Sequence, residues 1–363
     1  MPTAHPVSPA NRLGLNYAEQ ATKLGAPAAP IIDVHTHLHG DASLRIYADV
    51  AKQFGVAQTW TMTQLSQVET VRSILGDSVR FIAQPDFRSD DLLHAMGEGY
   101  LEHIASFHDL GARIVKFWSA PRARDMGLRA GNPNLMTLDG PVRREQMQLA
   151  SDLGMAIMTH VADPDTWFQT HYADATKYGT KCSQYVPLER ALDEFPVPWI
   201  AAHMGGWPED LAFLSGLLAR HPNLHLDTSA TKWMVRTLSA HDRDSLLEFL
   251  EQWSGRILFG SDIVVQEDHV SPDVSDAGRG SQAASSAEAF DLYASRYWSL
   301  RTLFETTYDG ESPIADPDLH MVSPEAFGPL DAPALHGKSL PQSLLRMLYH
   351  DAAATFARQF DSD

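Results

Sequence analysis

Short apolar runs recur along this chain at nearly even intervals, each rich in branched or aromatic residues and each ending on polar ones. They are IIDVHTH at 31–37, VAQTWTM from Val56, RFIAQPD from Arg80 and RIVKFW from Arg113, followed by MAIMTH from Met155, WIAAHMG from Trp199, LHLDTSA from Leu224 and RILFGSD from Arg256. Runs of this length and composition read as buried strands. Between them lie stretches such as Val142 to Leu153 and Glu209 to Arg220, amphipathic and long enough for crossover helices. Gly55, Gly76, Gly111, Gly154 and Gly255 end helices just ahead of the next strand. Strands that alternate with helices lie parallel, and eight such units close on themselves. The pattern therefore predicts an α/β chain whose residues 31–363 form one (β/α)8 TIM barrel. No motif repeats at a fixed period, which excludes a solenoid.

Two segments exceed what a plain barrel needs. Ser119 to Gly140 follows the fourth strand and carries Pro121, Arg122, Arg124, Arg129 and Pro133. Residues 263–337 follow the eighth, with a Ser/Asp/Gly-rich piece from Ser271 to Ser286, an aromatic helical stretch from Ala287 to Thr307 and a Pro-rich remainder. A final helix is expected over 340–358. Both excursions leave the carboxyl ends of strands, the face on which barrels build their sites, so at least one is expected to cover a substrate. Residues 1–30, with five prolines, read as an N-terminal extension holding a short helix around Asn16 to Leu24.

The formal net charge of −18 leaves no basic surplus to displace counterions, so nucleic acid and anionic membrane are poor partners. Local arginines can still receive an anionic small molecule. Cys182 is the only cysteine, so no intrachain disulfide forms, as in a reducing compartment such as the cytoplasm. No apolar run has signal-peptide or membrane-spanning length. Self-association into a homo-oligomer is left open.

Polar residues at strand ends carry the chemistry. His35 and His37 alternate with apolar neighbours, so both project to one side, within reach of one ion. Imidazole suits zinc, manganese and iron, and such a cation polarises a carbonyl or activates a water. A lone His-x-His pair is weak evidence, but His160, His203 and Asp262 occupy the ends of the fifth, sixth and eighth runs, and Lys116 lies within the fourth. Each alone reads as a hydrogen-bonded core group or a helix cap. A closed barrel brings all of them to one axis, where a buried polar group needs a partner. Beyond the strand ends stand Trp118, Arg122, Arg124, Trp167, His171, Trp207, Lys232, Trp233 and Arg236. Aromatic and cationic groups at one mouth suit a planar or carboxylated substrate. His39 lies in the loop after the first pair and is expected near substrate, off the metal. No P-loop, dinucleotide fingerprint or nucleophile elbow occurs.

The set Asp-x-His-x-His, fifth-strand His, sixth-strand His and eighth-strand Asp resembles the amidohydrolase superfamily. The segments IIDVHTHL, GARIVKF, MAIMTH, AAHMGGWPEDL, HPNLHLDTSAT and LFGSD resemble its amidohydrolase-related branch, amidohydrolase 2, which holds lactonases and enzymes similar to aminocarboxymuconate-semialdehyde decarboxylase. The likeness spans residues 31–262 and the last helix, where Asp351-Ala352-Ala353 stands in place of the family's usual asparagine and alanine. It implies that His35, His37, His160 and Asp262 ligate one divalent ion, zinc ahead of manganese or iron. His203 would be an acid/base or further ligand, and Asp262 would also accept a proton. Lys116 is expected unmodified, although binuclear members carbamylate a lysine there. Asp262, His203 and Lys116 form the implied catalytic set. Trp118, Arg122, Trp167, Trp207 and Lys232 form the implied substrate-binding set. The implied activity is hydrolysis of a lactone, ester or amide in a small carboxylated compound. Non-oxidative decarboxylation of an aromatic or muconate-like acid is the alternative, and a barrel that only binds a ligand is a distant third.

Overall fold

The computed structural model describes residues 7–270 and 282–360. Most of the expected Ser271 to Ser286 piece lies outside these residues. Nine strands form one parallel sheet: β1 (Ile31–Leu38), β2 (Val56–Met62), β3 (Val79–Ala83), β4 (Ile114–Trp118), β5 (Ala156–His160), β6 (Trp199–Ala201), β7 (Leu224–Asp227), β8 (Ile257–Leu258) and β9 (Ile263–Val265). Their order runs from β8 through β7 down to β1 and then β9. Of the run expected as the eighth strand, 256–262, only β8 is a strand. It pairs with β7, and β9, just past the run, pairs with β1, so the chain between 258 and 263 joins the two edges. Within that turn the Val34 amide donates to the Phe259 carbonyl at 2.9 Å, and the Asp262 amide donates to the His35 carbonyl at 2.8 Å. The sheet closes as a barrel with no free edge.

The barrel interior is filled in layers. Ile32, Val34, Trp60, Met62, Ile82, Ile114, Met158, Ile200 and Leu258 pack together, and Ala352, Ala353 and Phe356 of the last helix plug one end. Fully burying a side chain as large as Phe356 contributes about 1.5–3 kcal/mol. That helix runs from Gln342–Arg346 through a wider π-type turn at Met347–Asp351 into Ala352–Ala357. Asp351, the departure from the family pattern, pairs there with Arg346 at 3.0 Å and His350 at 2.8 Å. A second, larger apolar layer lies between the strands and the surrounding helices.

The excursion after the barrel's last strand is mostly ordered. A helix, Ser286–Glu305, begins with Ser285 capping the Glu288 amide and is buried on nearly every side. The N-terminal helix Tyr17–Leu24, capped by Asn16, packs Tyr17 against Trp298 of that helix with ring centroids 6.4 Å apart. Further on, an antiparallel pair, β10 (Asp309–Glu311) and β11 (Ala334–His336), flanks a short helix at Pro317–Val322. Among the described residues no helix is long and apolar enough to cross a membrane.

Candidate active site

The first strand carries a one-residue bulge that decides where its histidines point. Asp33 pairs with Thr59 and Thr36 with Thr61, so β1 spends three steps where β2 spends two. Before the bulge, Ile32 and Val34 face the interior and Ile31 the outer layer. After it Leu38 faces outward, which turns His35 and His37 inward. A bulge re-aims every side chain beyond it. Asp33 stays on the outer side and fastens the closing turn. Its carboxylate accepts from the Ser261 hydroxyl at 2.6 Å, the Ser261 amide at 3.0 Å, the Tyr297 hydroxyl at 2.8 Å and the His35 amide at 3.1 Å.

The inward histidines meet Asp262. Its Oδ1 lies 3.5 Å from Nε2 of His35 and 3.4 Å from Nε2 of His37. Asp262 holds a left-handed backbone, φ 59°, which costs a non-glycine residue about 1 kcal/mol and aims its carboxylate at the axis. Gly260 makes room for that turn: a Cβ there would come 3.0 Å from His35 Cβ and 3.2 Å from Ser229 Cβ. Burial pushes the Asp262 carboxyl up, but the hydrogen bond from His37 and the surrounding imidazoles outweigh it and hold the group below the usual carboxylate range.

A second carboxylate sits beneath the histidines. Asp227 ends β7 and is fully buried. Its Oδ2 lies 2.9 Å from His35 Nδ1, and its Oδ1 accepts from the His203 amide at 2.8 Å, the Ser229 amide at 3.0 Å and the Ser229 hydroxyl. His203, itself left-handed at φ 59°, directs Nδ1 to Ser229 Oγ at 2.7 Å. Burial, and then His160, lower the His203 imidazole well below its ordinary pKa, so the ring is neutral. Since Asp227 only accepts, His35 carries its proton on Nδ1 and presents the Nε2 lone pair to the axis. Lys116 Nζ lies 3.3 Å from that Nε2, and burial lowers its pKa to about 8 against the opposing pull of Asp227 and Asp262.

Above this floor opens a cavity of about 490 Å³ lined by Asp262, Trp167, Trp233, Lys232, Arg122 and Arg296, with Pro317 and Met321 of the long excursion among its walls. Trp233 lies edge-on to His203 and to Trp167, 5.6 Å from each.

A barrel with a His-x-His pair, two further histidines and a carboxylate at one mouth agrees with a sequence-family model. The model for the amidohydrolases, Amidohydro_2, matches residues 32–356. The chain belongs to the amidohydrolase family. No curated protein matches it in sequence. Solved structures similar to it include an amidohydrolase from Burkholderia multivorans, 12% identical, covering 92% of this chain and 99% of that one with a TM-score of 0.43. The 5-carboxyvanillate decarboxylase from Sphingomonas paucimobilis is 12% identical, covering 86% of this chain and 82% of its own, with a TM-score of 0.42. A protein described as a probable 2-pyrone-4,6-dicarboxylic acid hydrolase from Acinetobacter baumannii is 11% identical, covering 74% and 95%, with a TM-score of 0.40.

In this amidohydrolase the donor atoms of His35, His37 and Asp262 lie within 4.8 Å of one another, as do those of His35, His203 and Asp227. Two imidazole Nε2 atoms and one carboxylate oxygen converging on a point suit a divalent cation, and the Asp227 bond to His35 is the outer partner such a ligand needs. His160 lies outside both triplets. Its Nε2 is 2.9 Å from Asp163 Oδ1, and its ring centroid is 4.4 Å from that of His203. Lys116 and His203 stand at the same floor, Lys232, Arg122 and Trp167 in the cavity above. Trp118 and Trp207 are placed elsewhere: Trp118 packs edge-on to Phe87, and Trp207 stacks on Tyr185 under Lys181. Arg124 reaches the Lys177 carbonyl, and Arg236 is taken up by Asp316 and Asp318. His171 lines the cavity. His39 donates its amide to the Val265 carbonyl, in the loop beside the site.

Sequence reasoning missed Asp227, Ser229, Asp163 and Arg296. The first two were within reach, because LHLDTSA ends on polar residues as the other strands do. Asp163, three residues past His160, gave only a spacing. Arg296 gave no signal, since it lies mid-helix in the long excursion.

Proposed function

We propose that this amidohydrolase is a metal-dependent hydrolase of a C–O or C–N bond, in a lactone, ester or amide of a small carboxylated compound. The observation that carries the reading is Asp262: an ionised carboxylate that touches both His-x-His nitrogens and also lines the substrate cavity. His35, His37, His160 and Asp262 would hold a divalent ion, zinc by preference, which would supply Lewis acidity toward the carbonyl and toward an attacking water. Asp262 would accept a proton from the attacking water and return it to the leaving oxygen or nitrogen. His203, neutral and donating its Nδ1 proton to Ser229, keeps the Nε2 lone pair for an ion or for an incoming proton. Lys116, buried beside His35 and unmodified in this reading, adds positive charge where the oxyanion develops. Trp167 and Trp233, set nearly perpendicular to each other, supply an aromatic corner for an unsaturated or aromatic body.

A panel of carboxylated lactones, esters, amides and aromatic acids tests this. Release of a new carboxylic acid with no CO2 is the expected result. Release of CO2 from an aromatic acid with no hydrolysis in the panel replaces the reading with decarboxylation.

A further inference from the structure

The cavity above Asp262 has a cationic end for which the described residues supply no full set of counter-charges. Lys232 and Arg296 both line it and both are half-buried. Lys232 lies within the fields of Arg296, Asp316, Asp318 and Arg236. Arg236 is committed: it bonds Asp316, and its Nη2 lies 3.1 Å from Asp318 Oδ2. The same Asp318 oxygen also accepts from the Thr166 hydroxyl and from Trp167 Nε1, each at 3.1 Å. With Arg122 and Asp262 of the same cavity counted, the three carboxylates Asp262, Asp316 and Asp318 face the four cations Arg122, Lys232, Arg236 and Arg296, leaving one positive charge in excess. Among the described residues Arg296 donates only to neutral groups, the Ser295 hydroxyl at 2.8 Å and the Gln282 side-chain oxygen at 3.4 Å. No carboxylate lies within ion-pair distance of Lys232 or Arg296 among the described residues. Burial lowers the pKa of both, Arg296 to about 10, so each is charged at a cost that an incoming anion would remove.

We propose that Lys232 and Arg296 form the subsite for a substrate carboxylate that takes no part in the bond broken. The inference rests on the hydrolase reading and narrows its substrate class. The compound carries a free carboxylate at one end and the scissile carbonyl at the other, with a flat body against Trp167 and Trp233. The guanidinium holds such a group by paired N–H bonds, and the ammonium adds a point charge. Arg296 comes from the helix after the barrel's last strand, so this excursion sets specificity while the strands set chemistry. Neutral lactones, esters and amides would lack the anchor.

Binding can be read without turnover. Benzoate and its uncharged isostere nitrobenzene are titrated into the metal-loaded protein and followed by ligand NMR, for the wild type and for Arg296→Gln, Lys232→Gln and Arg296→Lys. Benzoate should bind about tenfold or more weakly to both Gln variants, with Arg296→Lys retaining much of the affinity. Nitrobenzene should bind all four proteins alike, an outcome that a collapsed or misfolded cavity would not give. Benzoate affinity unchanged in both Gln variants, no benzoate binding to the wild type, or parallel loss of benzoate and nitrobenzene would each overturn the subsite. Failure to hydrolyse any panel compound, with the binding pattern as expected, would overturn the reaction and leave the subsite standing.

Discussion

Replacing Asp227 by asparagine should separate the fold of this amidohydrolase from its metal site. The carboxylate accepts from two backbone amides through Oδ1 and faces His35 Nδ1 through Oδ2, 2.9 Å away. Asparagine matches its size, and its single carbonyl oxygen is claimed by the two amides of His203 and Ser229. The NH2 group is then turned toward His35 Nδ1, which must become an acceptor. The proton moves to Nε2, the nitrogen that points at Asp262 and Lys116, and its lone pair is lost to a cation. Losing charge from the bonds Oδ1 keeps costs about 1–3 kcal/mol of stability, well inside a typical folding free energy of about 5–15 kcal/mol. Loss of an outer partner of this kind lowers metal affinity by about 10–100-fold. Competition with a chromophoric chelator would read the affinity, and thermal unfolding of the metal-free protein would read the stability. Unchanged zinc affinity in Asp227→Asn would refute the tautomer argument. A variant that does not fold would show that Asp227 matters through the β7 turn alone. Asp227→Ala, which strands His35 Nδ1 and both amides, should be destabilised by about 3–6 kcal/mol and sets the scale for that outcome.

Other consequences follow from the same site and from the barrel floor. Elemental analysis should find close to one divalent ion per chain, and His35→Ala with His37→Ala should remove it together with activity while far-UV circular dichroism stays native. Full activity in the metal-free protein would end the proposed mechanism. Asp262→Asn should lower turnover by about 10²-fold or more with metal still partly held; more than half the activity at full occupancy would make Asp262 a turn residue only. His225, 6% exposed, points into the barrel interior against Phe356, with ring centroids 4.8 Å apart, and burial lowers its pKa from 6.5 to about 4. Between those values the unfolded chain binds the proton and the folded one does not, so stability is whole above pH 6.5 and falls as pH drops toward 4, by up to about 3 kcal/mol. Chemical denaturation from pH 7 to 4 should show a shallower acid slope in His225→Gln than in the wild type, and identical slopes would assign the loss to other groups.

The sequence by itself determined the alternation of strands and helices, because each buried strand needs an apolar run and each parallel crossover a helix. It also placed a polar group at the carboxyl end of most strands, and the barrel's convergence made those ends one site. Even so, periodicity fixes only that His35 and His37 share a face. Which face depends on the extra residue between Asp33 and Thr36, and a bulge is a property of pairing with β2 that no single strand displays. The eighth run reads as one strand, yet it leaves the sheet after Leu258 for a turn in which Asp33 captures Ser261, a contact between residues 228 apart. Trp207 and Trp167 look equivalent in sequence, each just past a strand. The first stacks on Tyr185 and the second is drawn into the cavity by Asp318, which arrives from the far excursion. Arg296 enters the site by the same route, on a helix whose burial on nearly every side leaves no amphipathic stripe to read. Side chains that depend on local alternation were legible. Those placed by long-range capture became so only in the folded chain, where hydrogen bonds and charge compensation between distant segments select among positions that local pattern leaves equal.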